Sequence, residues 1–212
     1  MPRSRVGLVY VSSTNSISTR MTMILEAIVT TTNEDGSTNI SPMGPTVSSD
    51  ASGAIDEFQL RPFDTSRTFA NLKRTRCGVL HVTDDVMLFA LTAIGQKPEN
   101  LDLIDAESVD GKIVADACRF YEFKVGFIDE TGARMNLNCS TVRQGKLRDF
   151  WGFNRAKHAV LEAAILATRL DFLPKEEIED AMIRLKVIVE KTAGEQETAA
   201  MNLIERFIEK VE

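Results

Sequence analysis

Hydrophobic and polar positions along this chain follow two periods. From Met23 the period is two. Ile24, Glu26, Ile28 and Thr30 alternate with Met23, Leu25, Ala27 and Val29, and both faces are fairly apolar. A strand inside a closed or covered sheet reads this way. Asn33-Glu34-Asp35-Gly36 is a turn signal, because Asp-Gly suits the positive φ of a tight hairpin. Thr38 to Met43 is the return strand. Pro42 and Pro45 bracket Met43-Gly44 and predict an end to regular pairing, so the Ser-rich stretch Thr46 to Gly53 reads as a loop.

Further short strands are expected at Phe58 to Phe63, ended by Pro62, and at Gly78 to Thr83. Asp84 or Asp85 can cap a helix from Val86 to Ile94 that Gly95 stops. Asn100 to Gly111 reads as an acidic loop. Cys118 to Phe127 alternates, with Tyr121, Phe123, Val125 and Phe127 on one face. Asp129 to Gly132 makes a second hairpin turn, and Met135, Leu137 and Cys139 alternate in the return strand.

At about Phe153 the period becomes 3.6. Ala156, Ala159, Val160, Ala163, Ala167 and Leu170 form one helical stripe. Pro174 opens a second helix with a stripe of Ile178, Ala181, Met182, Leu185 and Val189, which Gly194 can close. A third carries Ala200, Leu203, Ile204, Phe207, Ile208 and Val211. Residues 1–20 hold Arg3, Arg5 and Arg20, many Ser and Thr, and no acidic residue. They read as a loosely ordered arm with a short strand at Gly7 to Val11. The expected plan is α+β: this arm, a β-rich domain over 21–152, and a helical segment over 153–212 packed on the β domain or on a partner.

Composition narrows the function classes. The chain has 212 residues, 43% hydrophobic and 26% charged, with a net charge of -6. The acidic balance lacks the basic footprint of a nucleic-acid binder. No apolar run reaches the roughly 18 to 20 residues of a membrane span, and the apolar run in MPRSRVGLVYVSS is too short for a signal-peptide core. The expected location is the cytoplasm. Cys77, Cys118 and Cys139 are odd in number and far apart, which fits reduced thiols.

Within this acidic chain, five cations (Arg61, Arg67, Lys73, Arg74 and Arg76) fall in sixteen residues. Ser66, Thr68 and Asn71 stand among them in TSRTFANLKRTR, a short segment that reads as turn-rich. Hydroxyls, an amide and guanidinium groups are what a phosphate dianion needs around it. A solvated basic loop that pairs with surplus carboxylates explains the same residues.

Other chemistries lack their residues. No Gly-x-Gly occurs among the twelve glycines, so the dinucleotide-binding fingerprint is missing, and so is a P-loop. The cysteines and the two histidines lack zinc-site spacing. His81 falls in a buried strand and reads as a hydrogen-bonded core histidine; His158 reads as an exposed helical one. Capping explains Asp84-Asp85 more simply than a metal does.

Three segments in order, LEAIVTTTNEDGSTNISPMGP, SRTFANLKRTRCGVLHVTDD and FWGFNRAKHAVLEAAILATRL, resemble an uncharacterised family related to the flavin-reductase-like FMN-binding split barrels. The resemblance spans most of Ile24 to Leu170 and implies a six-stranded, antiparallel, Greek-key-like split β-barrel followed by C-terminal helices. It also implies a homodimer with FMN near the subunit interface. Asn39, Ser41, Pro42, Met43 and Gly44 then fall near the flavin ring, and Ser66, Thr68 and Asn71, with Lys73 nearby, fall at its phosphate. Asn154 and Arg155 open the first C-terminal helix, where they serve either an anion or only a cap and a surface charge. Thr31 and Thr32 face the flavin or simply pack in their strand. The family pattern has Asn where this chain has His81.

The function expected is FMN binding, in a flavin-dependent oxidoreductase of unknown substrate or in a module that holds a phosphorylated ligand without turnover. A helix-mediated interaction protein is a further reading of the apolar stripes. No residue stands out as a catalytic acid or base.

Overall fold

The computed structural model describes residues 21–49, 54–132 and 134–211. The arm over 1–20, with its expected strand at Gly7 to Val11, lies outside the described residues.

The chain forms an α+β structure with a curled antiparallel sheet. Its strands are β1 (Met21–Ile24), β2 (Ala27–Thr32), β3 (Thr38–Met43), β4 (Thr46–Ser49) and β5 (Glu57–Leu60). Helix α1 (Arg67–Thr75) follows, then β6 (Cys77–Val82) and α2 (Val86–Ala93). A small hairpin, β7 (Leu103–Asp105) and β8 (Lys112–Val114), leads to the long strands β9 (Arg119–Asp129) and β10 (Asn136–Lys146). Three helices close the chain: α3 (Arg155–Ala167), α4 (Lys175–Thr192) and α5 (Glu195–Val211).

The main sheet has eight strands in the order β1-β4-β5-β10-β9-β6-β2-β3, where six were expected. The difference arises at two interruptions. Leu25-Glu26 separates β1 from β2, and Gly44-Pro45 separates β3 from β4. Pro45 has no N–H to give the ladder, but its carbonyl accepts from Leu25 N–H at 3.1 Å. Pairing therefore resumes beyond it. Thr46 to Ser49 is strand, not loop, and pairs with both β1 and β5. Val47 is buried there, which rewards the extended backbone.

Three other expectations change. The basic segment is a helix, not a turn-rich loop. Ser66 caps it by accepting from Phe69 N–H at 3.1 Å, and Phe69 and Leu72 bury into the sheet core. Arg76 ends it in the left-handed region at φ 57. The acidic stretch after Asn100 contains β7, paired to β8. Phe127 does not share the buried face of Tyr121, Phe123 and Val125; it is 67% exposed. A register shift in the β9–β10 ladder, between Leu137 and Cys139 opposite Val125 to Ile128, breaks the alternation at that point.

Two cores result. One fills the curl of the sheet, around Val29, Leu60, Leu80, Phe123 and Leu137. The other joins α2 to α3, α4 and α5 through Ala156, Val160, Ala163, Met182, Ala200 and Ile204. Helix α2 belongs to both halves, because Leu88 and Phe89 pack on Ile28 of β2 while Val86 and Ala90 enter the helical core. Among the described residues no helix is long and apolar enough to cross a membrane.

Candidate functional site

The first helix places a set of polar side chains against the β2–β3 hairpin. Thr68 and Asn71 are both buried, three residues apart on the inner face of α1. The Asn39 amide donates to Thr68 Oγ1 at 3.1 Å and to Thr31 Oγ1 at 3.2 Å. The Asn71 amide donates to the same Thr31 Oγ1 at 3.0 Å and to Asn33 Oδ1 at 2.8 Å. Thr31, Asn33, Asn39, Thr68 and Asn71 thus form one neutral hydrogen-bonded cluster across β2, β3 and α1. Neutral amides and hydroxyls can be buried together when each finds a partner.

Of the residues expected at a phosphate, Thr68 and Asn71 meet here, while Ser66 stands at the N-terminus of the same helix without a described bond to the cluster. Ser66 Oγ is engaged twice, accepting from Phe69 N–H and donating to Phe63 O at 2.7 Å. Lys73 faces another way and pairs with Glu130 at 2.7 Å, with both side chains about half exposed. Of the residues expected beside a flavin ring, Asn39 joins the cluster. Ser41, Pro42 and Met43 continue along β3, an edge strand that is half-buried throughout, and Gly44 follows it. Thr31 is in the cluster, while Thr32 turns its hydroxyl to Asp110 O at 3.3 Å.

Asn154 and Arg155 lie elsewhere. Asn154 caps α3 by accepting from Lys157 N–H at 3.2 Å, and its amide donates to Thr192 O at 3.1 Å at the end of α4. Arg155 is exposed in the first turn of α3. Among the described contacts, none joins either residue to the α1 cluster.

A cavity of about 490 Å³ adjoins that cluster. Arg67, Ala70, Asn71 and Arg74 line one wall. Their spacing of three, four and seven residues puts them on one face of α1. Asn33, Glu34, Asp35 and Ser37 of the β2–β3 turn form the opposite side, and Lys97, from the segment after α2, also lines it. Asp35 is held below the usual carboxylate range by hydrogen bonds from the Ser37 hydroxyl and backbone.

A second polar cluster sits where the sheet meets the helices. Asp84 is buried. It accepts from Arg148 at 2.6 Å and from Trp151 N–H at 3.0 Å, and Lys157 donates to its carbonyl at 2.6 Å. Burial pushes its carboxyl up, but the Arg148 and Trp151 hydrogen bonds and the Lys157 charge outweigh this and hold it low. Asp85 caps α2 through Leu88 N–H at 3.1 Å and accepts from Gln196 of α5 at 3.0 Å. This cluster ties α2, α3 and α5 to the sheet.

His81 is fully buried between its own strand and β8. Val114 N–H donates to its Nε2 at 3.0 Å, which leaves Nδ1 to donate to Ile28 O at 3.2 Å. Burial pushes its pKa down to about 4. It is a neutral core histidine.

Residues 25–148 match the model described as "Protein of unknown function (DUF447) N-terminal domain". Residues 154–206 match its companion, "Protein of unknown function (DUF447)". The chain belongs to the DUF447 family. A crystal structure of an FMN-bound DUF447 protein from Methanosarcina mazei superposes with a TM-score of 0.74 at 22% identity, over 87% of this chain and 94% of that one. A 2-nitrobenzoate 2-nitroreductase from Pseudomonas fluorescens aligns at a TM-score of 0.45 and 18% identity, over 62% and 66% of the two chains. The flavin reductase of a styrene monooxygenase from Pseudomonas putida aligns at 0.45 and 10% identity, over 57% and 77%. No curated protein matches the chain.

Sequence reasoning missed Asn33, Ser37 and Lys97. Asn33 was visible only as a turn residue, though a Thr-Thr-Asn end to a buried strand marks polar groups that must find partners. Lys97 carries no local signal, because only the fold brings the segment after α2 to the hairpin turn.

Proposed function

We propose that this DUF447 protein binds FMN and acts, as a homodimer, as a flavin-dependent oxidoreductase. The observation that carries the reading is the neutral cluster of Thr31, Asn39, Thr68 and Asn71 beside the exposed edge of β3. It lies in a fold shared with an FMN-bound member of the same family. Counting β1–β2 and β3–β4 as the bent halves of one hairpin gives the six-stranded split barrel of that reading.

The residues present fit the group. Hydroxyls and amides at α1 can rearrange toward an anion, with Arg67 and Arg74 on the adjoining face of the same helix. A half-buried edge strand offers a flat surface for a ring. Asn39, Ser41, Pro42, Met43 and Gly44 would line the ring, and Ser66, Thr68 and Asn71 would hold the phosphate. Bound FMN would supply the redox chemistry; the protein's part is binding and orientation. Trp151 and Phe153, 87% and 94% exposed after β10, support a partner surface for the second subunit.

The test is a titration of FMN into the purified protein, followed by flavin fluorescence, with light scattering for the subunit count. Saturable quenching near one FMN per subunit of a dimer is expected. Anaerobic addition of NADH or NADPH then separates an oxidoreductase, which bleaches the bound flavin, from a holding module, which does not. A folded protein that leaves FMN fluorescence unchanged would refute the proposal.

A further inference from the structure

The β9–β10 hairpin ends in a polar row at the end of the sheet away from α1. Tyr121 stands opposite Gln144 in the ladder, and Arg119 stands opposite Lys146. Side chains alternate between the faces of a strand, so these four share one face. It is the inner face, by which Tyr121 and Phe123 enter the core of the curl. With Ala54 and Gly145 they line a cavity of about 240 Å³. Arg119 lies opposite Val82 in the β6–β9 ladder, whereas Thr30 of β2 lies opposite Val79, with the β2–β3 turn farther along. The cavity therefore shares no residue with the α1 cluster or with the space beside it.

Two features suit this space to an anion. Like charges directly opposite each other on paired strands are destabilising, yet Arg119 and Lys146 stand in that relation. No Asp or Glu lines the cavity among the described residues. The nearby Asp149 pairs with Lys146, and the Lys146 hydrogen bond and charge, with a smaller pull from Arg119, hold its carboxyl below the usual range. Two cations thus share one exposed carboxylate. Tyr121 is the second feature. Its ring is buried in the core, and Arg119 hydrogen-bonds its hydroxyl. Burial pushes the phenol up, against the opposing pull of Arg119, so it keeps its proton as a donor.

The donor set selects the kind of anion. A guanidinium is a planar fork that matches a carboxylate, and the Gln144 amide and Tyr121 hydroxyl add neutral donors beside it. Two cations less one carboxylate leave a single positive charge, which balances a monoanion rather than a phosphate dianion. The volume is that of about eight waters in the liquid, smaller than the pocket of a drug-sized ligand. We infer that this cavity is a carboxylate subsite, in which Arg119 receives the carboxylate of a small organic acid while Tyr121 and Gln144 donate beside it and Lys146 supplies the balance of charge.

The probe is cyclohexanecarboxylate, a saturated acid that cannot stack on a flavin. Titrated into the full-length chain, it should give saturable NMR shifts at the Gln144 side-chain amide and the Gly145 backbone amide in the millimolar range. Cyclohexanecarboxamide, its neutral counterpart, should bind at least about tenfold more weakly. Arg119→Gln should weaken the acid by about tenfold, and Arg119 is exposed, so the fold should survive. Tyr121→Phe keeps the ring in the core and removes only the hydroxyl; it should weaken the acid by about threefold to tenfold. Asp149→Asn frees the second cation and should tighten binding by about twofold or more.

Shifts that do not saturate, that are equal for the acid and its amide, or that persist unchanged in Arg119→Gln overturn the inference. Inorganic phosphate that binds these amides more tightly than the acid overturns the assignment to a carboxylate. The test requires no flavin. A chain that ignores FMN but binds the acid here refutes the flavin proposal alone, and one that binds FMN but not the acid refutes this inference alone.

Discussion

Two polar clusters flank the sheet, and both lie at the start of a helix that follows a strand or turn. At α1, Thr31, Asn39, Thr68 and Asn71 hold one another through neutral hydrogen bonds, while beside them Arg67 and Lys97 make no ion pair within 4.0 Å among the described residues. At α2, Asp84 gathers Arg148, Lys157 and the Trp151 N–H, so its charges are spent inside the protein. Both runs are dense in polar residues along the sequence. The difference lies in compensation. A cluster whose charges cancel internally holds the structure together, and one that leaves cations unmatched has capacity for a ligand.

The sharpest way to break this comparison is at Asp84. Replacing it with Ala takes the buried carboxylate from Arg148, which is left with Asp116, and from Lys157, which is left with Glu197 and the residue-84 carbonyl. It also removes the acceptor of Trp151 N–H. Breaking one partner of such a buried pair costs about 3 kcal/mol or more. Urea unfolding of Asp84→Ala should show that loss, with the helices loosening from the sheet. A loss under about 1 kcal/mol would mean that the cluster is not a structural junction.

His81 comes next. Its pKa falls to about 4 in the folded chain because burial disfavours the cation. The unfolded chain, near 6.5, binds the proton more readily across the interval between the two values. Stability should therefore be full above pH 6.5 and decline as pH falls toward 4. The total is about 3 kcal/mol, at about 1.4 kcal/mol per pH unit. Unfolding measured from pH 7 to pH 4 should show this slope, and His81→Gln should flatten it despite a lower starting stability. An equal slope in the variant would assign the acid sensitivity to other groups.

Gly78 tests the sheet beneath both clusters. A Cβ there would meet the Phe123 ring at 2.9 Å and the Thr30 carbonyl oxygen at 2.9 Å. Phe123 is fully buried and the carbonyl belongs to the neighbouring strand, so neither has room to retreat. Gly78→Ala should cost about 1 to 3 kcal/mol in thermal or urea unfolding. A neutral substitution would show that the β2–β6 spacing is wider than 2.9 Å contacts allow.

How far the sequence discloses this fold depends on how local each signal is. The Asp-Gly hairpin, the Asp85 cap, the alternation through Tyr121, Phe123 and Val125, and the alanine stripe of α3 are set within a few residues, and all are present. The helix at Arg67–Thr75 was masked by its polar composition, since the capping Ser66 and the buried pair Phe69 and Leu72 are a weak signal among so many cations and hydroxyls. The strand at Thr46–Ser49 was hidden by Pro45, whose missing N–H interrupts the ladder without ending it. Glu122 gave no sign of burial, because its partners come from other elements: Glu107 N–H at 3.2 Å and Ser108 N–H at 2.5 Å from the segment between β7 and β8, and Arg143 at 2.9 Å from the opposite position on β10. The candidate site shows the same division. Ser66, Thr68 and Asn71 were legible as a motif. Asn33 and Lys97 become neighbours of that motif only through tertiary structure.

The smallest expected effect sharpens the comparison most. Lys73 lies in the same basic run as Arg67 and Arg74, and the sequence gives no ground to separate them. In the fold its ammonium pairs with Glu130 and sits 5.6 Å from the Phe69 ring centre. An exposed pair of this kind contributes about 0 to 1 kcal/mol. Lys73→Ala should therefore change stability by less than about 1 kcal/mol and leave phosphate and FMN affinity within about twofold. Arg67→Gln, one face away on the same helix, should have little effect on stability and a clear effect on ligand affinity. Calorimetric titration of both variants with FMN decides between them. If Lys73→Ala loses affinity and Arg67→Gln does not, the ligand lies on the Lys73 face of α1, and unpaired charge fails as the guide that separates a binding cluster from a structural one.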